Sequence, residues 1–220
     1  TLWLDEGDRK VELPEILGDL SGQLDLRQAC PLQVNRKPKV LHQGQTPGVT
    51  TGFTLDEGEA RSLVMSDPKS RAVLHPYLIG DDLLHDGRPG RWIIDIAAGD
   101  ATEAKAQAPG AYDRLALLVL PLRKATAAEE AEKNEKILAE NPRARVNWHH
   151  RGFLDRWWRH AYRRDDLLKA LEPLDRYIAT ARNPTDKRRP IFVFVDTAIR
   201  PSDQIQAVSL PVPSCSADLP

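Results

Sequence analysis

The stretch from Gly52 to Ile96 constrains this chain more than any other; it reads GFTLDEGEARSLVMSDPKSRAVLHPYLIGDDLL, then a short turn, then RWIIDI. Its punctuation predicts a strand, a capped helix, a turn, an aromatic corner and a second strand. Thr54 followed by Glu57 has the spacing of a capping box, in which each side chain satisfies an open backbone N–H of the first helical turn. That spacing predicts a helix start near Leu55, with Ala60, Leu63 and Val64 as its apolar stripe. Asp67-Pro68 ends the helix, because proline disfavours helical backbone at the residue before it. His75-Pro76-Tyr77-Leu78, Gly80 and Asp81-Asp82 are expected to form a loop with fixed turns, and Trp92 to Ile96 a buried strand.

At 220 residues the chain is long enough to bury a sizeable core, and its 41% hydrophobic and 29% charged content is that of a folded domain. The longest apolar run, Leu115 to Leu120, is far too short to cross a bilayer, and the opening TLWLDEGDRK has no basic start followed by an apolar stretch. A cytoplasmic protein is the expectation. Cys30 and Cys215 are isolated and have no CxxC spacing, which fits reduced structural thiols. Thr1 stands where a start methionine would, so the expectation is a domain of a longer polypeptide.

A net charge of −1 hides a polarised chain. Residues 1–25 hold seven acids against two bases, whereas residues 143–164 hold seven arginines against one acid, Asp155. Such a basic concentration on a near-neutral chain is the footprint of a nucleic-acid-binding surface. If residues 152–164 are helical, Phe153, Leu154, Trp157, Trp158 and Ala161 share one face, and Arg156, Arg159 and Arg163 line the opposite one. Arginine suits phosphate because its planar fork donates two parallel hydrogen bonds while keeping its charge. Arg151 extends that row, and Arg88 and Arg91, flanking a Pro-Gly turn, are further backbone-contact candidates. The competing expectation is that the tryptophans are core and that the arginines pair with acids distant in sequence.

Gln43 and Gln45, in HQGQTPG at 42–48, lie in a glycine-rich loop; a glutamine amide can pair with N6 and N7 of adenine in the major groove. A plain polar turn is the alternative. Residues 124–140 predict a long polar helix, solvent-exposed or a spacer, after helices near 100–107 and 112–120. Two apolar strands, 177–182 and 191–195, flank the basic connection NPTDKRRP. The expected fold is α+β, a modest mixed sheet built from segments near 34–41, 51–55, 91–96, 176–182 and 191–195 with helices packed around it. Residues 1–30 are expected to be an acidic lead-in, 31–200 the functional domain, and 201–220 a tail or truncated continuation.

The ordered set HQGQTPG, GFTLDEGEA, SDPKSRAVLHPYLIGDDLL, RWIID and RWW, spread from His42 towards Asp196, resembles the target-recognition region of adenine-N6 DNA methyltransferases of the MmeI-like restriction-modification and phage-defence type. The resemblance implies double-stranded DNA as partner and an upstream methyltransferase domain in the same chain that uses S-adenosylmethionine. It also implies that the 177–195 region carries base-choosing residues, of which Thr180, Arg182, Lys187 and Arg188 are the candidates.

The catalytic half of such an enzyme needs a glycine-rich loop after a strand and an Asn/Asp-Pro-Pro-aromatic motif. Asn141-Pro142 and Asn183-Pro184 continue with Arg143 and Thr185, and no glycine cluster has phosphate-loop spacing, so no cofactor site is expected in these residues. Two alternatives remain. Asp95 with Glu103 and Lys105 has the residue types of a metal-dependent nuclease, and the tryptophans could anchor a protein partner. His149, His150 and His160 fit no familiar metal-ligand spacing.

Overall fold

The computed structural model describes residues 2–4, 9–12, 39–85, 87–183 and 191–210. The chain divides into two compact units, Thr1–Lys39 and Val40–Pro220. In the first, β1 (Leu2–Leu4) and β2 (Arg9–Val11) pair antiparallel, with Trp3 opposite Lys10. The expected helix near residues 14–20 and most of the expected strand at 34–41 lie outside the described residues.

The second unit is α+β, and its strands divide between two four-stranded sheets instead of forming one. One is antiparallel throughout, in the order β3 (Leu41–Gln43), β10 (Ile205–Val208), β7 (Arg176–Ala181), β8 (Phe192–Asp196). The other is mixed, in the order β4 (Thr54–Leu55), β6 (Arg91–Ile94), β5 (Leu74–Leu78), β9 (Arg200–Pro201), with β9 parallel to β5. Residues expected to trail off after 200 therefore supply one strand to each sheet, and β10 is an interior strand.

The helix of the Gly52–Ile96 stretch forms two residues later than its sequence spacing predicts. A short helix, α1 (Thr50–Phe53), occupies the expected first strand, and Thr54 gives its hydroxyl hydrogen to the Thr50 carbonyl. The capping box is built instead by Asp56 and Glu59: Glu59 N donates to Asp56 Oδ1 at 2.7 Å, and Asp56 N to Glu59 Oε2 at 3.0 Å. Helix α2 (Glu57–Ser66) follows and stops at Asp67-Pro68, where a 3₁₀ turn over Pro68–Val73 begins. His75-Pro76-Tyr77-Leu78, expected as loop, is strand β5. β9 meets β5 only at Tyr77 and Leu78, so Pro76 lies where the strand has a single neighbour and tolerates a missing N–H.

Helices α3 (Gly80–His85), α4 (Ala101–Gln107), α5 (Pro109–Leu118), α6 (Leu120–Glu140), α7 (His149–Asp155) and α8 (Asp165–Leu171) complete the unit. Two cores result. Phe53, Ile93, Ile94, Ile96, Leu115 and Val119 centre the one under the mixed sheet, and Trp158 reaches into it. Leu78, Leu83, Leu167, Leu171, Tyr177 and Ile205 centre the other, between the antiparallel sheet and helices α3 and α8. Among the described residues no helix is long and apolar enough to cross a membrane.

Candidate nucleic-acid interface

Where a helix was expected over 152–164, α7 ends at Asp155, because the chain beyond it has stronger claims on its backbone and rings. Trp158 donates its indole N–H to the Ala98 carbonyl at 3.1 Å, and buried His160 lies 2.7 Å from the Ile94 carbonyl through Nε2. Ala161 N and Tyr162 N donate to Pro47 and Thr46, so this segment pairs with the 42–48 loop instead of coiling. Arg164 takes a left-handed conformation, φ 61°, and turns the chain into α8. The arginines therefore do not share one helical face.

Arg123 of α6 terminates α7. Its guanidinium donates to the Phe153 carbonyl at 2.8 Å and the Arg156 carbonyl at 3.3 Å, satisfying carbonyls that the ended helix leaves open, and to the Pro47 carbonyl at 3.1 Å. Sequence reasoning passes over it. Its signal is positional: Ala111, Leu115, Val119 and Arg123 recur every four residues, and all four are buried. Burial pushes the Arg123 guanidinium down to about 10, so it remains charged at neutral pH, and among the described residues no carboxylate pairs with it. From the same helix, Glu130 accepts the His150 N–H at 2.9 Å, and Asn134 donates to the Asn147 carbonyl at 2.5 Å. The long polar helix, expected to be solvent-exposed or a spacer, is exposed over most of its length and is also the scaffold on which α7 is mounted.

Between α7 and residues 156–165 lies a cavity of about 470 Å³, lined by Arg123, Arg156, Arg159 and Arg163 together with Trp148, His149 and Phe153. Asp165 is the carboxylate on its wall. Arg156 is exposed; Arg159 is four-fifths buried and its Nη2 lies 3.3 Å from Asp165. Arg163 is withdrawn from the surface. Its Nε donates to Asp95 Oδ1 at 2.6 Å and its Nη1 to Asp165, so it serves an internal ion pair and not a phosphate.

That pair closes a buried polar junction. Asp95 follows β6 with its side chain 1% exposed, and Oδ2 also accepts from Gln45 Nε2 at 3.1 Å. Burial alone would raise the Asp95 carboxyl; the neighbouring His160 and Arg163, with hydrogen bonds from Arg163 and Gln45, outweigh it and hold the group below the usual carboxylate range. Gln45 is fully buried, its second amide hydrogen going to the Arg163 carbonyl at 2.9 Å. It cannot reach a base, which corrects the expectation from the HQGQTPG loop: this loop stitches the fold together. Gln43 is half-buried on β3, its Oε1 accepting from Arg164 at 2.9 Å.

The other candidates are spread out. Arg151 is exposed near the start of α7, and Arg88 is exposed ahead of β6. Arg91 lies 3.6 Å from Asp82. Thr180 sits on β7 between Gln206 and Phe192, and exposed Arg182 donates its backbone N–H to the Gln204 carbonyl at the end of that strand. Lys187 and Arg188 lie outside the described residues. The nuclease alternative finds its residues otherwise engaged: Asp95 by Arg163, Glu103 by the Gly99 N–H at 2.8 Å, and Lys105 beside Asp113. Among the described residues no three His, Cys, Asp or Glu side chains are grouped to hold a metal.

The fold has a solved counterpart. It is similar to part of the type IIL restriction-modification enzyme MmeI, whose structure is a complex with DNA, at a TM-score of 0.55 and 15% sequence identity. The likeness covers 79% of this chain and 19% of that one, so the chain spans about a fifth of the length of MmeI. At that identity the likeness is one of fold. No protein-family model and no curated protein matches the chain.

Proposed function

We propose that this chain is a double-stranded DNA recognition domain, the specificity part of an adenine-N6 DNA methyltransferase whose catalytic domain and S-adenosylmethionine site lie upstream in a longer polypeptide. The observation that carries the reading is the arginine-lined cavity beside α7, where Arg156 and Arg159 meet one wall carboxylate, Asp165, while Arg163 is committed to Asp95 and Arg123 to backbone carbonyls. The shared fold with a DNA-bound restriction-modification enzyme supports it. Arg156, Arg159 and Arg151 hold backbone phosphates, with Arg88 and Arg91 as secondary contacts, and Arg182 at the end of β7 reads bases. Phosphate contacts fix register, and the parent enzyme extrudes the target adenine from the duplex so positioned.

The test is duplex binding across a salt series. Arg156→Ala with Arg151→Ala is expected to weaken binding to every duplex alike and to flatten the salt slope by roughly 0.9 for each phosphate no longer neutralised. Affinity independent of salt, or weakening confined to one base position, would refute the assignment. In the parent chain, Arg182→Ala is expected to change which duplexes are methylated from a labelled methyl donor.

A further inference from the structure

The antiparallel sheet has two unlike faces. His42, Ala207, Ala179 and Val195 turn inward, towards the core shared with α3 and α8. The opposite face is exposed at its edge strands, at Leu41, Phe192 and Phe194, and half-buried between them. In register across all four strands it carries Gln43, Gln206, Thr180 and Phe192, and beside that row Leu41, Val208, Ile178 and Phe194. Phe192 is 63% exposed and Phe194 55%, and the Arg176 guanidinium lies 4.5 Å from the Phe194 ring centre. The two rings, two residues apart on one strand, form a local apolar patch bordered by polar and charged side chains.

The chemistry of the face selects its occupant. Two rings are interleaved with two glutamines and a threonine; Arg176 and exposed Arg182 border them, and Asp196 is an acid on the face, opposite Arg176. Aromatic rings amid cations and amides suit nucleobases on a phosphate chain.

Geometry then separates unpaired strand from duplex. A major groove about 12 Å wide admits a two-stranded ribbon and exposes base edges only. Four strands span about 14 Å between the outer backbones before side chains are added. The ring faces of Phe192 and Phe194, about 7 Å apart along β8, need the faces of bases, which a duplex keeps stacked inside.

We propose that the outer face of this sheet is a second nucleic-acid site, one that binds an unpaired strand by stacking two splayed bases on Phe192 and Phe194. Arg176 takes the backbone, and Gln206 and Thr180 meet base edges. The site is independent of the duplex contacts at α7.

The probe is fluorescein-labelled dT12, read by anisotropy on the full chain beside a 20-base-pair duplex. Phe192→Ala and Phe194→Ala are each expected to weaken dT12 binding on the order of tenfold, and Phe→Tyr at either position to restore it. Duplex affinity stays unchanged, whereas Arg156→Ala does the reverse. Thermal melting confirms that the alanine variants fold. Failure of dT12 to bind, or dT12 affinity indifferent to the double alanine variant, overturns the proposal. So does a concentration-dependent dimer that the same variant abolishes, which would make this face an interface between copies of the chain. Absence of duplex binding alone would overturn the reading at α7 and leave this one standing.

Discussion

A carboxylate as deeply buried as Asp95 stays ionised only when charge and hydrogen bonds replace water, and Arg163 and Gln45 do so from 68 and 50 residues away in sequence. Composition shows that seven arginines crowd residues 143–164, but not which of them turns inward. Gln45 is opaque for the same reason: a glutamine between glycines looks identical in sequence whether its amide meets a base or a buried aspartate. The same junction makes stability pH-dependent. His75 is held down at about 4 by burial first and then by Arg200, with Asp95 opposing, and Arg163 and His160 are its other charged neighbours. Unfolded, the imidazole binds a proton below about 6.5, so native stability is full above that pH and declines as pH falls towards 4. By pH 5 His75 accounts for about 2 kcal/mol of this decline. His160, also lowered by burial, acts in the same direction. Urea unfolding at pH 7.5 and pH 5 is expected to show the difference, and His75→Gln to recover about 2 kcal/mol of it; an unchanged pH slope in the variant would assign the effect elsewhere.

At the scale of elements, local chemistry predicts existence better than limits. The stop at Asp67-Pro68, the helix capped by Asp100 and the strands at 91–94, 176–181 and 192–196 follow from turn residues and apolar runs. The capping box is displaced because Thr54 and Asp56 both stand three residues before a glutamate; Thr54 is drawn back to the Thr50 carbonyl and leaves Asp56 the cap. Asp56→Ala is therefore expected to cost about 1 kcal/mol in denaturation. Thr54→Ala should cost less, and the reverse order would restore the sequence-based assignment. The shortening of α7 is not legible, since Trp158 and His160 are drawn inward by carbonyls at Ala98 and Ile94, some 60 residues earlier. Tertiary demand overrides helical periodicity there.

Across the whole molecule, the α+β class is legible from the alternation of capped helices with apolar strands, but the partition into two sheets is not. It depends on residues 200–208, whose sequence, RPSDQIQAV, has the proline and polar content of a tail. They fold because each end finds an edge. Arg200–Pro201 runs parallel to Tyr77–Leu78, and Ile205–Val208 fills the space between β3 and β7. The Gln45 N–H donates to the Pro201 carbonyl at 2.8 Å across the step between them. Gly44 permits that approach, since a Cβ there would collide with the Ser202 carbonyl oxygen. Truncation after Thr197 is expected to abolish cooperative unfolding altogether; a truncated chain that still melts in one sharp transition would show that the sheets hold without this segment.

The placement of β10 also dictates a timetable. β3, made some 160 residues earlier, has β10 as its partner and must wait until that strand emerges from the ribosome. Both sheets are then completed almost at once, by residues 200–208. Nascent β7 and β8 wait beside an empty lane, their inner edge a template for any other extended chain. Crowded translation of this protein is thus most vulnerable to misassembly in the seconds before residue 208 is released.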